Sequence, residues 1–135
     1  NSVFYEVINQ CAQPRSNNPD TWITSEIIEA YTRLYDMGKI VSVETWHEDR
    51  LVGGLYGVLI GQVFFGESMF SHMNDASKVA LVNLTHQLHS AGCKLIDCQI
   101  YSKHLKDLGA KSIPRKLFQN MLKEYCNHND CLLRD

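Results

Sequence analysis

The segment from Ile40 to Gly66 opens with an alternating apolar and polar stretch and is broken twice by turn residues, a pattern that reads as an antiparallel meander. In a first strand, Ile40–Glu48, Val41, Val43 and Thr45 stand opposite Ser42, Glu44 and Trp46. Asp49 and Arg50 supply a turn, Leu51–Ile60 returns, and Gly61 turns the chain into Gln62–Gly66. Gly53, Gly54 and Gly57 thin out the middle strand. Glycines at such positions mark either close approach of a ligand or another backbone, or a bulge, and spacing does not choose between these.

Outside this segment the apolar period lengthens to that of a helix. Phe4, Val7, Ile8 and Cys11 predict a helix over residues 3–12. Thr24 as N-cap, Glu26 in the first turn and Gly38 past the end predict a second, reaching Met37, with Ile27, Ala30, Tyr31 and Leu34 as its apolar stripe. Asn74 or Asp75 caps a third, Ala76–Ala91, which Gly92 stops; Val79, Leu81, Val82, Leu84 and Leu88 are expected to face inward. Lys94–Ile100 (KLIDCQI) has the composition of a short buried strand. Pro114 opens a last helix to Tyr125, with Phe118, Leu122 and Tyr125 inward, and the tail from Cys126 reads as frayed. The order implies an α/β fold, with helices packed on a mixed sheet.

With 135 residues, 44% of them hydrophobic, the chain is long enough for one core and too short for two ordinary domains. No apolar run approaches the roughly 20 residues that span a bilayer, and no signal-peptide pattern opens the chain, so a soluble protein is expected. Five cysteines without a CxxC pair fit a reducing cytoplasm. Cys126, His128 and Cys131 lack a fourth ligand at zinc spacing, and His86 with His89 makes no stronger claim, so neither metal nor cofactor is expected. The linker-like Gln13–Asp20 (QPRSNNPD) and the absence of an initiator Met suggest a piece of a longer protein. The net charge is −2, yet six of the thirteen basic residues (Lys103, Lys106, Lys111, Arg115, Lys116, Lys123) cluster with only Asp107 opposing them. Such a cluster either meets phosphates or is the solvated face of the last helix.

Two places carry unusual chemistry. Asp97 and Gln99 interrupt an apolar strand, and strand alternation points both to one face. A buried carboxylate costs several kcal/mol unless hydrogen bonds offset it, so the pair is either a structural anchor or faces a ligand. FFGESMFS, Phe64–Ser71, places Glu67 and Ser68 among aromatics just past a strand end. That suits a pocket holding an apolar group beside a cation; a simply solvated Glu67 is the alternative.

The strings CAQPR and TWIT, LVGGLYGV, FFGESMFS, NDASKVAL, KLIDCQ and LGAKSIPR resemble, in order, those of the leucyl/phenylalanyl-tRNA–protein transferases, from about residue 10 to 116. The resemblance implies a GNAT-like catalytic domain over 21–125, with a mixed, mostly antiparallel sheet flanked by helices. Residues 1–20 would end a preceding domain and linker, and 126–135 form a C-terminal tail. It implies Asp97 and Gln99 as the catalytic pair, with Glu67 at the reaction centre near the acceptor amine. Leu55, Phe64, Met69, Leu81, Leu84, Leu88 and Ile96 would form the pocket for the transferred side chain, and Trp22 would stack on the tRNA's terminal adenosine. Leu55 stands where the family has Met, and Leu84 and Leu88 where it has aromatics, so the pocket wall stays apolar with a different shape. Simple alternation sets Ile96 opposite Asp97, which requires a twisted or splayed strand. The partners implied are aminoacyl-tRNA carrying Leu or Phe (or Met) and an acceptor protein with N-terminal Arg or Lys, marked thereby for N-end-rule degradation by a cytoplasmic monomer. Two rival readings are an acyl-CoA-dependent acetyltransferase, against which the glycine-free SHMNDASK speaks, and a non-enzymatic binding module.

Overall fold

Glu48 (φ 48°) and Asp49 (φ 62°) both take positive φ, the backbone of a two-residue type I′ turn whose twist matches that of the strands it joins. The turn thus falls one residue earlier than the sequence suggested. It connects β1 (Ile40–His47) to β2 (Arg50–Ile60), and Gly61 (φ 61°) leads on to β3 (Val63–Ser71). This computed structural model describes residues 3–14, 21–99, 102–131 and 133; most of the expected linker and Ile100 lie outside the described residues. β4 is only Leu95–Asp97 and lies parallel to β3, so the sheet runs β1-β2-β3-β4 with its other pairings antiparallel. β3 extends past Gly66 to Ser71, so Glu67 and Ser68 lie inside a strand rather than beyond its end.

Alternation along β2 sends Tyr56 and Val58 to one face and Leu55 and Leu59 to the other. On the first face, α1 (Val3–Cys11) buries Phe4, Val7, Ile8 and Cys11, and α2 (Ser25–Asp36) adds Ile27, Ile28, Tyr31, Leu34 and Tyr35. Thr24 caps α2 through the Ile27 N–H, as its position suggested, while Ala30 is exposed and Ile28 and Tyr35 take its place in the stripe. On the second face lies α3 (Ala76–Ser90), whose buried stripe is Ala76, Ala80, Leu84 and Leu88. Each fully buried leucine contributes about 1.5–3 kcal/mol. Val79 and Val82, expected inward, are 53% and 44% exposed because they lie on the far side of that i, i+4 row. Asp75 does not cap α3; it has φ 65° and pairs with Lys78, while Ser71 Oγ accepts the Ser77 N–H at 3.3 Å. The remaining helices are α4 (Lys103–Asp107), not foreseen, and α5 (Arg115–Tyr125), in which Phe118, Leu122 and Tyr125 are half-buried.

The β2 glycines make room for the protein's own chain. A Cβ at Gly53 would meet the Ala76 Cβ at 2.6 Å, so α3 can start directly on the sheet. At Gly57 it would meet the Phe65 carbonyl at 2.3 Å and the Phe64 ring at 2.4 Å, beside a register shift. Nor do the described residues of the tail fray. Asp130 Oδ1 accepts the Gly61 N–H at 2.7 Å and its carboxylate pairs with Lys39; Cys131 N–H donates to Gly61 O at 3.0 Å. Cys131 and Leu133 then pack against the α3-side core.

Gly57→Ala is expected to cost about 1–3 kcal/mol in urea unfolding, because neither the carbonyl nor the packed ring can yield cheaply. The bond to Lys39, then that from Gly61 N–H, holds the Asp130 carboxyl below its ordinary value. A depressed folded-state pKa gives stability that is present above the ordinary carboxylate range and is lost as pH falls through the lowered value. Asp130→Asn should therefore be less stable than the parent at neutral pH, and the gap should close on acidification in unfolding curves.

Candidate active site

β3 carries one residue more than β2 at its middle: Tyr56 pairs with Ser68 and Gly57 with Gly66, leaving Glu67 without a partner. This is a β-bulge, which kinks a strand and re-aims the side chain it carries. Phe64 and Met69 are an odd number apart and would point to opposite faces of a regular strand; with the extra residue both join the α3-side core. Glu67 turns towards α2 instead, where its Oε2 accepts the Tyr31 hydroxyl at 2.7 Å.

β4 ends at Asp97, so Gln99 lies beyond the strand and the one-face reading of the pair does not hold. A local turn joins them. Asp97 Oδ1 accepts the Gln99 backbone N–H at 2.8 Å, and Gln99 sits at φ 62°. That left-handed conformation costs a non-glycine residue about 1–3 kcal/mol unless its surroundings hold it. The Gln99 side chain supplies the second tether, donating from Nε2 to Gly66 O at 2.8 Å. Asp97 thus orients Gln99 through its backbone. With Nε2 committed, the exposed amide presents Oε1 as an acceptor next to the residue that precedes Glu67.

Leu55, Phe64, Met69, Leu81, Leu84, Leu88 and Ile96 all belong to one apolar cluster between the sheet and α3. Ile96 reaches it from β4, on the face away from Asp97. The cluster is tightly packed at its centre, with Phe64, Leu84 and Leu88 at most 1% exposed, while Met69, Leu81 and Ile96 form its half-buried margin. Trp22 is 50% exposed just before α2. Two open clefts of about 420 and 430 Å³ flank the end of β3: one lies against the start of α3 and His104, the other between Met69, Phe70, Gln10 and Pro14. Neither includes Asp97 or Gln99. Among the described residues no group of three His, Cys, Asp or Glu side chains is placed to hold a metal ion.

The sequence reading missed the polar role of Tyr31, which it assigned to an apolar stripe, and passed over Tyr56. Burial, then the bond to Glu67, raises the Tyr31 pKa, so its hydroxyl stays a donor. Tyr56 is fully buried with its ring 5.4 Å from that of Tyr31 at 73°, and its hydroxyl has no hydrogen-bond partner. A tyrosine on an apolar stripe is an ambiguous signal, since its body is greasy and its tip seeks a partner.

The architecture is GNAT-like, that of an acetyltransferase fold. The chain superposes on the crystal structure of a Trypanosoma brucei acetyltransferase with a TM-score of 0.57 at 15% identity, covering 84% of this chain and 87% of that one. A profile of the leucyl/phenylalanyl-tRNA protein transferase family matches residues 1–123. A leucyl/phenylalanyl-tRNA–protein transferase of Nitrosomonas europaea is 54% identical over 123 residues, 91% of this chain and 52% of the relative. Those of Nitrosospira multiformis and Thiobacillus denitrificans are 51% and 53% identical over 93% of this chain. The chain belongs to the leucyl/phenylalanyl-tRNA–protein transferase family, and it spans about half the length of these relatives.

A hydrogen bond to a charged group contributes about 1.5–3 kcal/mol. Tyr31→Phe should therefore destabilise the fold, and a double-mutant cycle with Glu67→Gln should show a coupling of at least about 0.5 kcal/mol. Additive losses would mean that the two side chains do not act on each other.

Proposed function

We propose that this chain carries the reaction centre of an aminoacyltransferase that moves Leu or Phe, with Met as a third donor, from aminoacyl-tRNA to the N-terminal Arg or Lys of an acceptor protein. Such a product is marked for N-end-rule degradation, and we assign the enzyme to the cytoplasm as a monomer; no described helix is long and apolar enough to cross a membrane. The observation that carries the reading is the exposed Gln99 amide, held by Asp97 Oδ1 and Gly66 O beside the bulge that bears Glu67.

The donor ester is already activated. An α-amine has a pKa of about 8, so roughly a tenth is neutral at pH 7 and no strong base is required. The amine nitrogen forms a bond to the ester carbonyl carbon as the bond to the ribose oxygen breaks, and the amine's proton ends on that oxygen. Gln99 Oε1 accepts a hydrogen bond from the amine and aims its lone pair, since an amide oxygen is too weak a base to remove the proton. Positioning of this kind contributes on the order of 7–11 kcal/mol. Asp97 fixes Gln99 and balances the developing ammonium. Glu67, steadied by Tyr31, attracts the acceptor's cationic side chain.

The donor side chain enters at the margin formed by Met69, Leu81 and Ile96, and burial there contributes about 25 cal/mol per Å². Opening the packed centre behind it requires Leu84 and Leu88 to shift. Stacking of the terminal adenosine on Trp22 adds about 1–3 kcal/mol. An acyl-CoA donor fits less well, because Asp75 sets a carboxylate at the α3 N-terminus where a pyrophosphate would need bare N–H groups.

Incubating the protein with leucine-charged tRNA and a peptide beginning with Arg should add the mass of one leucine residue to the peptide. Asp97→Ala should slow single-turnover transfer by at least about a hundredfold while changing donor Kd by less than about threefold. Normal transfer in that variant would remove Asp97 from the mechanism.

A further inference from the structure

Charge is segregated along this chain in a way that the reaction centre does not use. Residues 103–123 carry Lys103, Lys106, Lys111, Arg115, Lys116 and Lys123 against Asp107 alone, whereas the rest of the chain carries seven basic and fourteen acidic residues. All six cations are exposed, and none is ion-paired among the described residues. Like charges gathered without counter-charges repel one another and destabilise a fold, so their concentration calls for an external anion.

The basic segment adjoins the sheet edge that bears Asp97 in sequence at its start and through hydrogen bonds at its end. It starts with α4, whose first residue is four positions after Gln99. It ends where Tyr125 O accepts the Gln62 N–H at 2.9 Å, while Gln62 O accepts the Lys94 N–H at 2.8 Å at the start of β4. The C-terminal end of the segment therefore lies beside the start of β4. On α5, Lys116 and Lys123 are seven residues apart, which puts them within about 20° of each other around the axis and about 10 Å apart along it. They point away from the half-buried Phe118, Leu122 and Tyr125, with Gln119 and Asn120 between them as neutral donors.

We propose that this surface docks the phosphate backbone of an RNA helix: the stem that adjoins the aminoacylated end of the donor tRNA. The inference rests on the aminoacyl-tRNA reading for the identity of the RNA, and on charge and placement for the surface. Two cations about 10 Å apart along the axis, with amides between them, suit a row of phosphates, whose bound counterions are released on contact. A lipid surface fits less well, because a membrane-binding helix offers its apolar face outward and α5 turns that face to the domain.

The test compares Lys116→Gln/Lys123→Gln with Arg33→Gln/Arg50→Gln, a pair of exposed cations elsewhere with the same change in net charge. Binding of a fluorescein-labelled RNA hairpin with a single-stranded 3′ end is followed by anisotropy between about 50 and 200 mM salt. The lysine pair should weaken binding at least about fivefold and flatten the logarithmic salt slope by about 2, whereas the arginine pair changes affinity less than about twofold. Equal losses in both pairs, no loss in the lysine pair, or equally tight binding of phosphatidylserine vesicles would overturn the proposal. Transfer from aminoacyl-adenosine, which has no stem, should be unchanged by the lysine pair; a loss as large as that with aminoacyl-tRNA would place the lysines in the reaction centre and also overturn it. If the unmodified protein uses neither donor yet binds the hairpin through these lysines, the donor reading fails and the RNA face stands.

Discussion

One extra residue in β3 decides how this domain is arranged. Because Glu67 has no partner on β2, the strand changes phase at its middle. Phe64 and Met69 then share the α3 face, while Glu67, three residues from Phe64, points to the other face and reaches Tyr31 on α2. The kinked strand also leaves the Gly66 carbonyl to the Gln99 side chain. Apolar packing on one face, an anchored acid on the other and a tethered amide at the edge all meet at this irregularity.

The polar groups beside the bulge are held by geometry that carries a cost. Gln99 keeps a left-handed backbone, and two hydrogen bonds, to Asp97 Oδ1 and Gly66 O, offset it. Tyr56 buries a hydroxyl without a partner beneath Tyr31. Residual strain and orphaned polar atoms persist where the surroundings over-determine them, and here both lie within the same few side chains around Glu67. The stable scaffold sits to either side, in the α1 and α3 faces of the sheet.

The chain shares about half of its residues with curated members of its family while spanning about half of their length. Within that half it encloses two apolar clusters, and Asp130 and Cys131 close the β2–β3 turn. The basic strip on α4 and α5 lies outside both clusters, so its residues contribute little to packing and are free to serve recognition.

Much of this was written in local pattern. Alternation and turn residues determined the meander, Thr24 and Gly38 the ends of α2, and Phe4, Val7, Ile8 and Cys11 the buried face of α1, because these depend only on backbone period and capping within a few residues. Resemblance of short strings determined the family. What the chain could not announce by itself depends on contacts far apart in sequence. The bulge needs β2 beside β3 before an unpaired Glu67 has meaning. The Tyr31–Glu67 bond spans 36 residues. Asp97 and Gln99 looked like neighbours on a strand, and became a turn only when the Gly66 carbonyl offered itself to the glutamine amide. Side-chain direction at a strand irregularity is set by the partner strand, and only the tertiary structure supplies one.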